Sequence, residues 1–430
     1  MVASNTSHPS WMSLPRSLPT AKLAPWKLFK GGSTSTYNGP RFDDLAPATI
    51  PTSAIIHMYT MVPFLVLIPT IVATSLKLSV TDFGCDMPLS EHCSACSQVL
   101  QGFAERESYC TYNTPGHFNV DKISIDRPGW SRGPWGDPGP NIISESWGCE
   151  DNGATACLHR QVVHERLTSL SSRGAILIHP AGNGGENDDC AMDTYTQHRG
   201  VIVVTPTGYT RAERCSATLV TITIPRNVTI LLDGHCTKIP MCSSMAAPLL
   251  GNLLGRVLWA TTSGVRPENV QWALVRASRP HTTTGWHGRG WELNAVTGRW
   301  HHPRYGFGEP DPEELAKELK RLEESSPPHE FGEWPLEDCA ATLVDWITLS
   351  VTITPATSRG AVTLDVISPS GTRATVLGTR PLDAATGEFT QEMVTNRFWG
   401  EPGRSASNPW RVMCAGCGTY SIRGFCHGIV

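Results

Sequence analysis

An α/β layer with a mostly parallel sheet, followed by an all-β sandwich, is the fold class that the sequence predicts. Two patterns predict it. From Asn141 onward, short apolar runs alternate with longer amphipathic ones, as strands and helices do in an α/β layer. From Asp338 onward the runs shorten to residues 347–353, 361–367 and 374–377, with Ser, Gly and Pro turns between them, as in a sandwich.

Taken in order, residues 141–146 read as a short buried strand, and residues 154–171 as a helix carrying Leu158, Val162, Leu167 and Leu170. Residues 174–178 form a second apolar strand, which runs into the turn Ala181-Gly182-Asn183-Gly184-Gly185. Residues 200–205 are a third strand, and 216–224 and 228–232 are strand-like. Ser244 opens a long apolar helix toward Ala260. Pro267 starts another, ending near Ala277, because a first helical turn has no use for the N–H that proline lacks. Asp311 caps a further helix that Pro312 starts, with Leu315, Leu319 and Leu322 as its apolar stripe. Residues 325–337 form a polar linker, and residues 338–430 form the β domain. Catalytic residues in such α/β sheets collect beyond the carboxyl ends of the strands.

The 430 residues are more than one core usually organises, which suggests two domains. With 40% hydrophobic and 17% charged residues, 39 Gly and 33 Pro, the chain is folded and rich in turns. A net charge of −4 supplies no basic field for a nucleic-acid backbone and argues against that partner. Fourteen widely spaced cysteines suggest disulfides in a secretory compartment, with metal binding or free thiols as alternatives.

Residues 1–140 carry no clear assignment. Residues 1–50 are rich in Ser, Thr, Pro and Lys without sustained periodicity and read as leader or disorder, and the first 35 lack the pattern of a signal peptide. Residues 54–76 are uncharged and long enough to cross a bilayer, although Pro63 and Pro69 interrupt them; a buried apolar segment or a wrongly assigned exon are the competing readings. Cys93-x-x-Cys96 suits a metal or redox pair, or else a structural disulfide or free thiols. At the other end, Cys414, Cys417, Cys426 and His427 form a candidate zinc set.

Ser243-Ser244-Met245-Ala246-Ala247-Pro248 is the strongest short signal for chemistry. A serine at a helix start has the helix dipole and free backbone N–H groups beside it, and both favour a developing oxyanion. An ordinary serine cap accounts for the same residues without chemistry.

The chain resembles the kexin/furin-type proprotein convertases, a branch of the subtilisin-like serine proteases. Their nucleophile motif Gly-Thr-Ser-x-Ala-x-Pro corresponds to Cys242-Ser243-Ser244-Met245-Ala246-Ala247-Pro248, which makes Ser244 the nucleophile by resemblance, with Cys242 in place of the first glycine. The Gly-rich turn is similar to the oxyanion-hole motif, with Asn183 as amide donor. Ser146-Trp147-Gly148-Cys149-Glu150-Asp151-Asn152-Gly153 resembles Ser-Trp-Gly-Pro-Glu-Asp-x-Gly, and Asp151 and Asp193 match acids that receive the basic side chain before the scissile bond. The resemblance also implies Ca2+ as cofactor, held by Asp151, Asp188 and Glu213, and a disulfide between Cys190 and Cys215. Cys236 matches a cysteine whose partner lies upstream, with Cys85, Cys93, Cys96, Cys110, Cys149, Cys157 and Cys242 as candidates.

Downstream, Val265-Arg266-Pro267-Glu268 and Tyr305-Gly306-Phe307-Gly308 follow late catalytic-domain segments. Residues 367–377, Trp399, Asn408 and Trp410 are similar to the family's P domain. The resemblance thus implies a subtilisin-like partial catalytic domain at 141–324 and a P domain after the linker. Cys414 through Cys426 depart from it.

Family triads run aspartate, histidine, serine, in the settings Asp-Asp-Gly, His-Gly-Thr and Gly-Thr-Ser. No His-Gly-Thr occurs here, and Asp43-Asp44 with His92 is only a superficial match. By resemblance the protein is a calcium-dependent serine endopeptidase that cleaves proproteins after basic residues in the secretory pathway, Golgi or a membrane reached through residues 54–76. The alternative is a catalytically inactive remnant, or the product of a truncated gene, that acts at most as a protein-binding module.

Overall fold

The computed structural model describes residues 78–79, 82–83, 121–125, 141–146, 148–224, 227–232, 235–240, 242–261, 266–281, 290–324, 330–405 and 408–430. The leader, residues 54–76, Asp43, His92, His117 and the cysteines from Cys85 to Cys110 lie outside them.

One mixed sheet contains β1 (Leu78–Ser79), β2 (Asp82–Phe83), β3 (Asp121–Ile125), β4 (Asn141–Glu145), β5 (Ile176–Pro180), β6 (Val201–Pro206) and β7 (Thr218–Ile222). β4, β5, β6 and β7 are successive parallel neighbours, in register Ile142↔Ile176, Ile178↔Ile202 and Val204↔Val220. β3 adds to β4 antiparallel, β1 adds to β3 antiparallel, and β2 runs parallel against the end of β4. Every residue of β5, β6 and β7 is buried. Strands covered on both faces read as continuous apolar runs, and that is how these were visible in the sequence.

Helix α1 (Gln161–Ser172) packs against β5, and α2 (Ala246–Thr261) lies across β4, β5 and β6 with Ala246, Ala247, Leu250 and Leu254 fully buried. Helix α3 (Pro267–Ala277) packs against β7 and α4 (Pro312–Glu324). Asp311 Oδ1 accepts the N–H groups of Glu313 and Glu314, which caps α4, and Leu315, Leu319 and Leu322 are its buried stripe. No helix among the described residues is long and apolar enough to cross a membrane.

Two predicted elements come out differently. Helix α1 begins at Gln161 rather than Ala154, because a Cys149–Cys157 disulfide and the bridge pairing of Cys157 with Asp193 hold the preceding residues extended. Leu158 therefore packs toward the sandwich, and Val162 is 70% exposed. Phe331–Pro335, inside the stretch read as linker, is a strand of the sandwich.

After the hairpin β8 (Asn227–Leu232) and β9 (His235–Pro240) come the two-residue strands β10 (Ser278–Arg279), β11 (Glu292–Leu293), β12 (Trp300–His301) and β13 (Glu309–Pro310). The sandwich has one sheet of β14 (Phe331–Pro335), β20 (Cys417–Ile429), β15 (Leu343–Pro355) and β18 (Phe389–Thr395), and another of β17 (Arg373–Leu377), β16 (Thr363–Ile367) and β19 (Arg411–Ala415). Ile347, Leu349, Val351 and Ile353 alternate inward from β15 to meet Leu364, Val366 and Val376.

The candidate zinc set does not survive this packing. Cys414 is bonded to Cys417 and Cys426 to Cys339, and His427 Nε2 pairs with Thr348 Oγ1 at 2.9 Å. Oxidised cysteines have no thiolate to offer a metal. The residues past Trp410, where the resemblance stops, supply β19 and β20, so β20 is an inner strand between β14 and β15.

The two halves share one core. Trp346, Val394, Trp399 and Ile429 of the sandwich belong to the apolar cluster built on the parallel sheet, and the rings of Trp272 and Trp399 lie 5.0 Å apart. Side chains cross the seam as well: Gln391 Nε2 donates to Ala191 O at 2.8 Å, and Val394 N to Gln197 Oε1 at 2.9 Å.

Candidate active site

The loops that follow β4, β5 and β6, and the turn that starts α2, form one polar cluster. The turn after β5 depends on Gly182, whose φ is +114° and where a Cβ would lie 2.5 Å from the Glu213 carboxylate. Only glycine lets the backbone pass so close over Glu213. Gly184 N then donates to Glu213 Oε2 at 2.7 Å, and Asn183 N to Asp151 Oδ2 at 2.8 Å.

The Asn183 side chain joins two parts of the cluster. Its Nδ2 donates to Asp151 Oδ2 at 3.2 Å, and its Oδ1 accepts the backbone N–H of Ser243 at 2.9 Å. These bonds fix which end of the amide is oxygen, and Nδ2 carries a second N–H beyond the one on Asp151. Ser244 follows directly, in the 3-10 turn Ser243–Met245 that leads into α2. From the other side Ser146 Oγ donates to Ser244 O at 2.9 Å. Cys242 is a half-buried free thiol.

Beneath the turn, oxygens of Asp151, Asp188 and Glu213 all lie within 4.8 Å of one another. Burial pushes Glu213 well above the usual carboxylate range, and the neighbouring Asp151 and Asp188 push the same way. Burial also raises Asp151, against two hydrogen bonds from Asn183. Such a set of close, hard oxygen donors in need of positive charge fits a cation of the calcium type. Asp188 is anchored by the N–H groups of Gly153 (2.8 Å) and Asp189 (2.9 Å) and by Arg380 Nε of the sandwich (2.8 Å). The Cys190–Cys215 disulfide and the bond from Cys190 N to Arg214 O hold the loops of Asp188 and Glu213 side by side.

Asp193 lies in the neighbouring loop, half-buried, with Oδ1 accepting Tyr195 N at 2.9 Å. Gly148 closes over it, since a Cβ there would lie 2.9 Å from Asp193 Oδ2. Burial raises the Asp193 carboxyl, His179 opposes that rise, and Asp151 adds to it. His179 and Glu145 were not anticipated from sequence. His179 is buried, donates Nδ1–H to Pro180 O at 2.8 Å and stacks on Tyr195. Glu145 is buried too, and burial raises its carboxyl against the pull of His179 and Arg166.

Asp82 was also passed over. β2 places it parallel to β4, opposite Ser144, at the same sheet end as Ser146. A signal was there to read: Leu78-Ser79-Val80-Thr81 alternates like a strand, and Asp82-Phe83-Gly84 follows as Asp-x-Gly.

The family model described as the proprotein convertase P-domain matches residues 344–406. Over 381 residues the chain is 42% identical to a "Subtilisin-like protease" of Ictalurid herpesvirus 1 (strain Auburn), an alignment that covers 86% of this chain and 99% of that protein. To human "Proprotein convertase subtilisin/kexin type 6" it is 28% identical over 315 residues, covering 63% of this chain and 32% of that protein. Against "Furin-like protease 2" of Drosophila melanogaster it is 25% identical and spans 18% of that protein. In fold it is similar to the crystal structure of a serine protease of Aeromonas sobria, with a TM-score of 0.51 at 14% identity, covering 67% of this chain and 71% of that one.

Proposed function

The chain belongs to the subtilisin-like protease family, and we propose that it is a calcium-dependent serine endopeptidase that cleaves proproteins after basic residues, with Ser244 as nucleophile. The observation that carries this reading is the amide bridge of Asn183, which ties the nucleophile turn at Ser243 to the acid Asp151. One short network thereby holds the attacking group, an oxyanion donor and a charge for the substrate in fixed relation.

Ser244 attacks the peptide carbonyl. The Asn183 amide stabilises the oxyanion that develops, and Asp151 and Asp193 draw in an arginine or lysine side chain. Asp151, Asp188 and Glu213 would hold calcium, which supplies the positive charge that lets three neighbouring carboxylates stay ionised.

For the rest of the triad we assign Asp82 and His92. Asp82 stands at the strand position beside β4. His92-Cys93-Ser94 differs from His-Gly-Thr by cysteine for glycine and serine for threonine, the same two replacements that Cys242-Ser243-Ser244 makes in Gly-Thr-Ser. The histidine takes the Ser244 proton and returns it to the leaving amine, while the aspartate orients the ring. The secretory pathway or Golgi is the compartment in which such substrates and four disulfides among the described residues belong together.

A second reading, an inactive protein-binding descendant, draws on the lack of a literal His-Gly-Thr. The test is cleavage of a fluorogenic peptide ending in Arg, in calcium, by the full chain and by Ser244→Ala, His92→Ala and Asp82→Asn. Losses of about 10⁴-fold or more in kcat for Ser244→Ala and His92→Ala support the triad. Equal rates for all four proteins establish the inactive reading.

A further inference from the structure

A second ligand set lies away from Ser244, where α1 meets the sandwich. His159 sits just ahead of α1, His164 lies in its first turn, and Glu392 comes from β18. Each offers one ligand atom, and the three atoms all lie within 4.8 Å of one another. His164 Nδ1 is 3.2 Å from Glu392 Oε1, and the two imidazole centroids are 5.7 Å apart. All three side chains are half-buried, so the cluster has one side toward solvent and one toward protein.

We propose that His159, His164 and Glu392 form a zinc-binding site that joins α1 to β18 of the sandwich. Two imidazoles and one carboxylate are a zinc donor set, and three protein ligands with an open side leave the fourth position to water or another ligand. Tetrahedral zinc, with bonds of 2.0–2.1 Å, needs donors roughly 3.3 Å apart. His164 and Glu392 already stand at that separation, and the His159 donor lies within 4.8 Å of both. Nitrogen donors separate this site from the all-oxygen cluster of Asp151, Asp188 and Glu213, which favours a hard cation.

The surroundings hold the ligands in place, and the charge of Arg199, which acts on both His164 and Glu392, is the one that zinc would have to outcompete. His198 packs edge-on against His164 with centroids 4.7 Å apart. Its Nδ1 accepts Gly200 N at 3.0 Å, so its Nε2 carries the hydrogen and donates to Thr168 Oγ1 at 2.9 Å. Both nitrogens of His198 are thus engaged, which makes it a wall of the site and not a fourth ligand. The Glu392 backbone is fixed by the antiparallel pairing Ser350↔Glu392, and its neighbours Gln391 and Val394 bond across the seam. Bound zinc would therefore connect two already docked surfaces.

The experiment uses the purified full chain without an affinity tag, in excess calcium to fill hard-oxygen sites. Zinc binding is measured by calorimetry on the wild type, His159→Ala, His164→Ala and Glu392→Gln, with metal-free melting temperatures as the check on folding. Cobalt(II) replaces zinc in a parallel spectrum. The expected result is one saturable zinc site, a higher melting temperature with zinc, the visible absorption of four-coordinate cobalt, and affinity at least about tenfold weaker in each variant. A wild-type chain that shows no saturable zinc binding or no such cobalt spectrum overturns the proposal. So does a folded His159→Ala or His164→Ala protein that binds zinc as tightly as the wild type.

Discussion

Arg380 of the sandwich donates from Nε to Asp188 Oδ1 at 2.8 Å, across the seam between the two halves of the fold. Both side chains are buried. The same guanidinium donates from Nη1 to Asp383 Oδ2 at 2.5 Å and from Nη2 to the Thr155 carbonyl, so all of its faces are used. The sandwich therefore supports the acidic cluster directly. A buried pair stripped of one partner leaves an uncompensated charge, at a cost of about 3–5 kcal/mol. Arg380→Met is expected to lose stability on that scale in urea unfolding. Arg380→Lys is expected to recover only part of it, because an ammonium cannot match three fixed directions. Equal stability of Arg380→Met and the wild type would remove this pairing from the account.

The acidic cluster gives a second expectation. Without a cation, Asp151, Asp188 and Glu213 stand together with burial and mutual repulsion against them. Calcium at 100 times its Kd should stabilise the chain by about 2.7 kcal/mol, and a chelator should remove that gain. Glu213→Gln should weaken the calcium response in thermal unfolding and should raise the melting temperature measured in chelator, because it removes a carboxyl that without a cation must either take up a proton or stay ionised against burial and its acidic neighbours. Magnesium at the same concentration should do less, since it sheds water reluctantly and demands tighter octahedral geometry.

Asn183 has two separable duties. Its Oδ1 positions Ser243 N, and its Nδ2 is the candidate oxyanion donor. Asn183→Ala removes both, and kcat should fall about 10²–10³-fold with a smaller change in KM. Asn183→Asp keeps an acceptor for Ser243 N but places a carboxylate against Asp151. It should therefore lose activity as fully as Asn183→Ala and also lower the melting temperature. A KM effect without a kcat effect in Asn183→Ala would assign the residue to ground-state binding.

Local chemistry was legible in the sequence, and long-range geometry was not. The Gly-rich turn and the turn at Ser243–Met245 are short segments whose residue types dictate their backbones, and β5 and β6 are apolar runs because both faces are covered. The start of α1 was misplaced because a disulfide and a bridge to Asp193, far along the chain, override helix preference there. Nothing in the local sequence pairs Arg380 with Asp188, 192 residues away, until the fold brings them together. His179 sits within an apolar run, and only the fold shows that its electrostatic partners are Asp193, Glu145 and Asp151. Asp82 was hidden because its strand is two residues long, too short for a period to stand out.

His301 supplies the pH prediction. It is buried between the halves, edge-on to Phe307, with Nε2 at 3.0 Å from Asn396 Oδ1. Asn396 Nδ2 donates to the carbonyls of Ala217 and Thr218, so Oδ1 is its acceptor and His301 Nε2 carries the hydrogen. Burial, helped by Arg397 and His302 and opposed by Asn396, lowers the His301 pKa to about 3. The folded imidazole thus stays neutral where the unfolded one, near its ordinary value of about 6.5, takes up a proton. Stability from this group is present above pH 6.5 and is lost as the pH falls from there toward 3, by up to about 1.4 kcal/mol per pH unit. Buried Asp345, raised to about 7 mainly by burial, acts with the opposite sign, since it is protonated in the fold before it is in the unfolded chain. The total profile also carries His198 and His427, lowered to about 3, and Asp189 and Glu392, raised to about 7, all mainly by burial, so the informative quantity is the difference between wild type and His301→Gln. Glutamine can still donate to Asn396, and it does not titrate. The difference in unfolding free energy should be flat above pH 7 and should shift in favour of His301→Gln at every step down to pH 4. A difference that stays constant over that range would mean that His301 is charged in the folded protein.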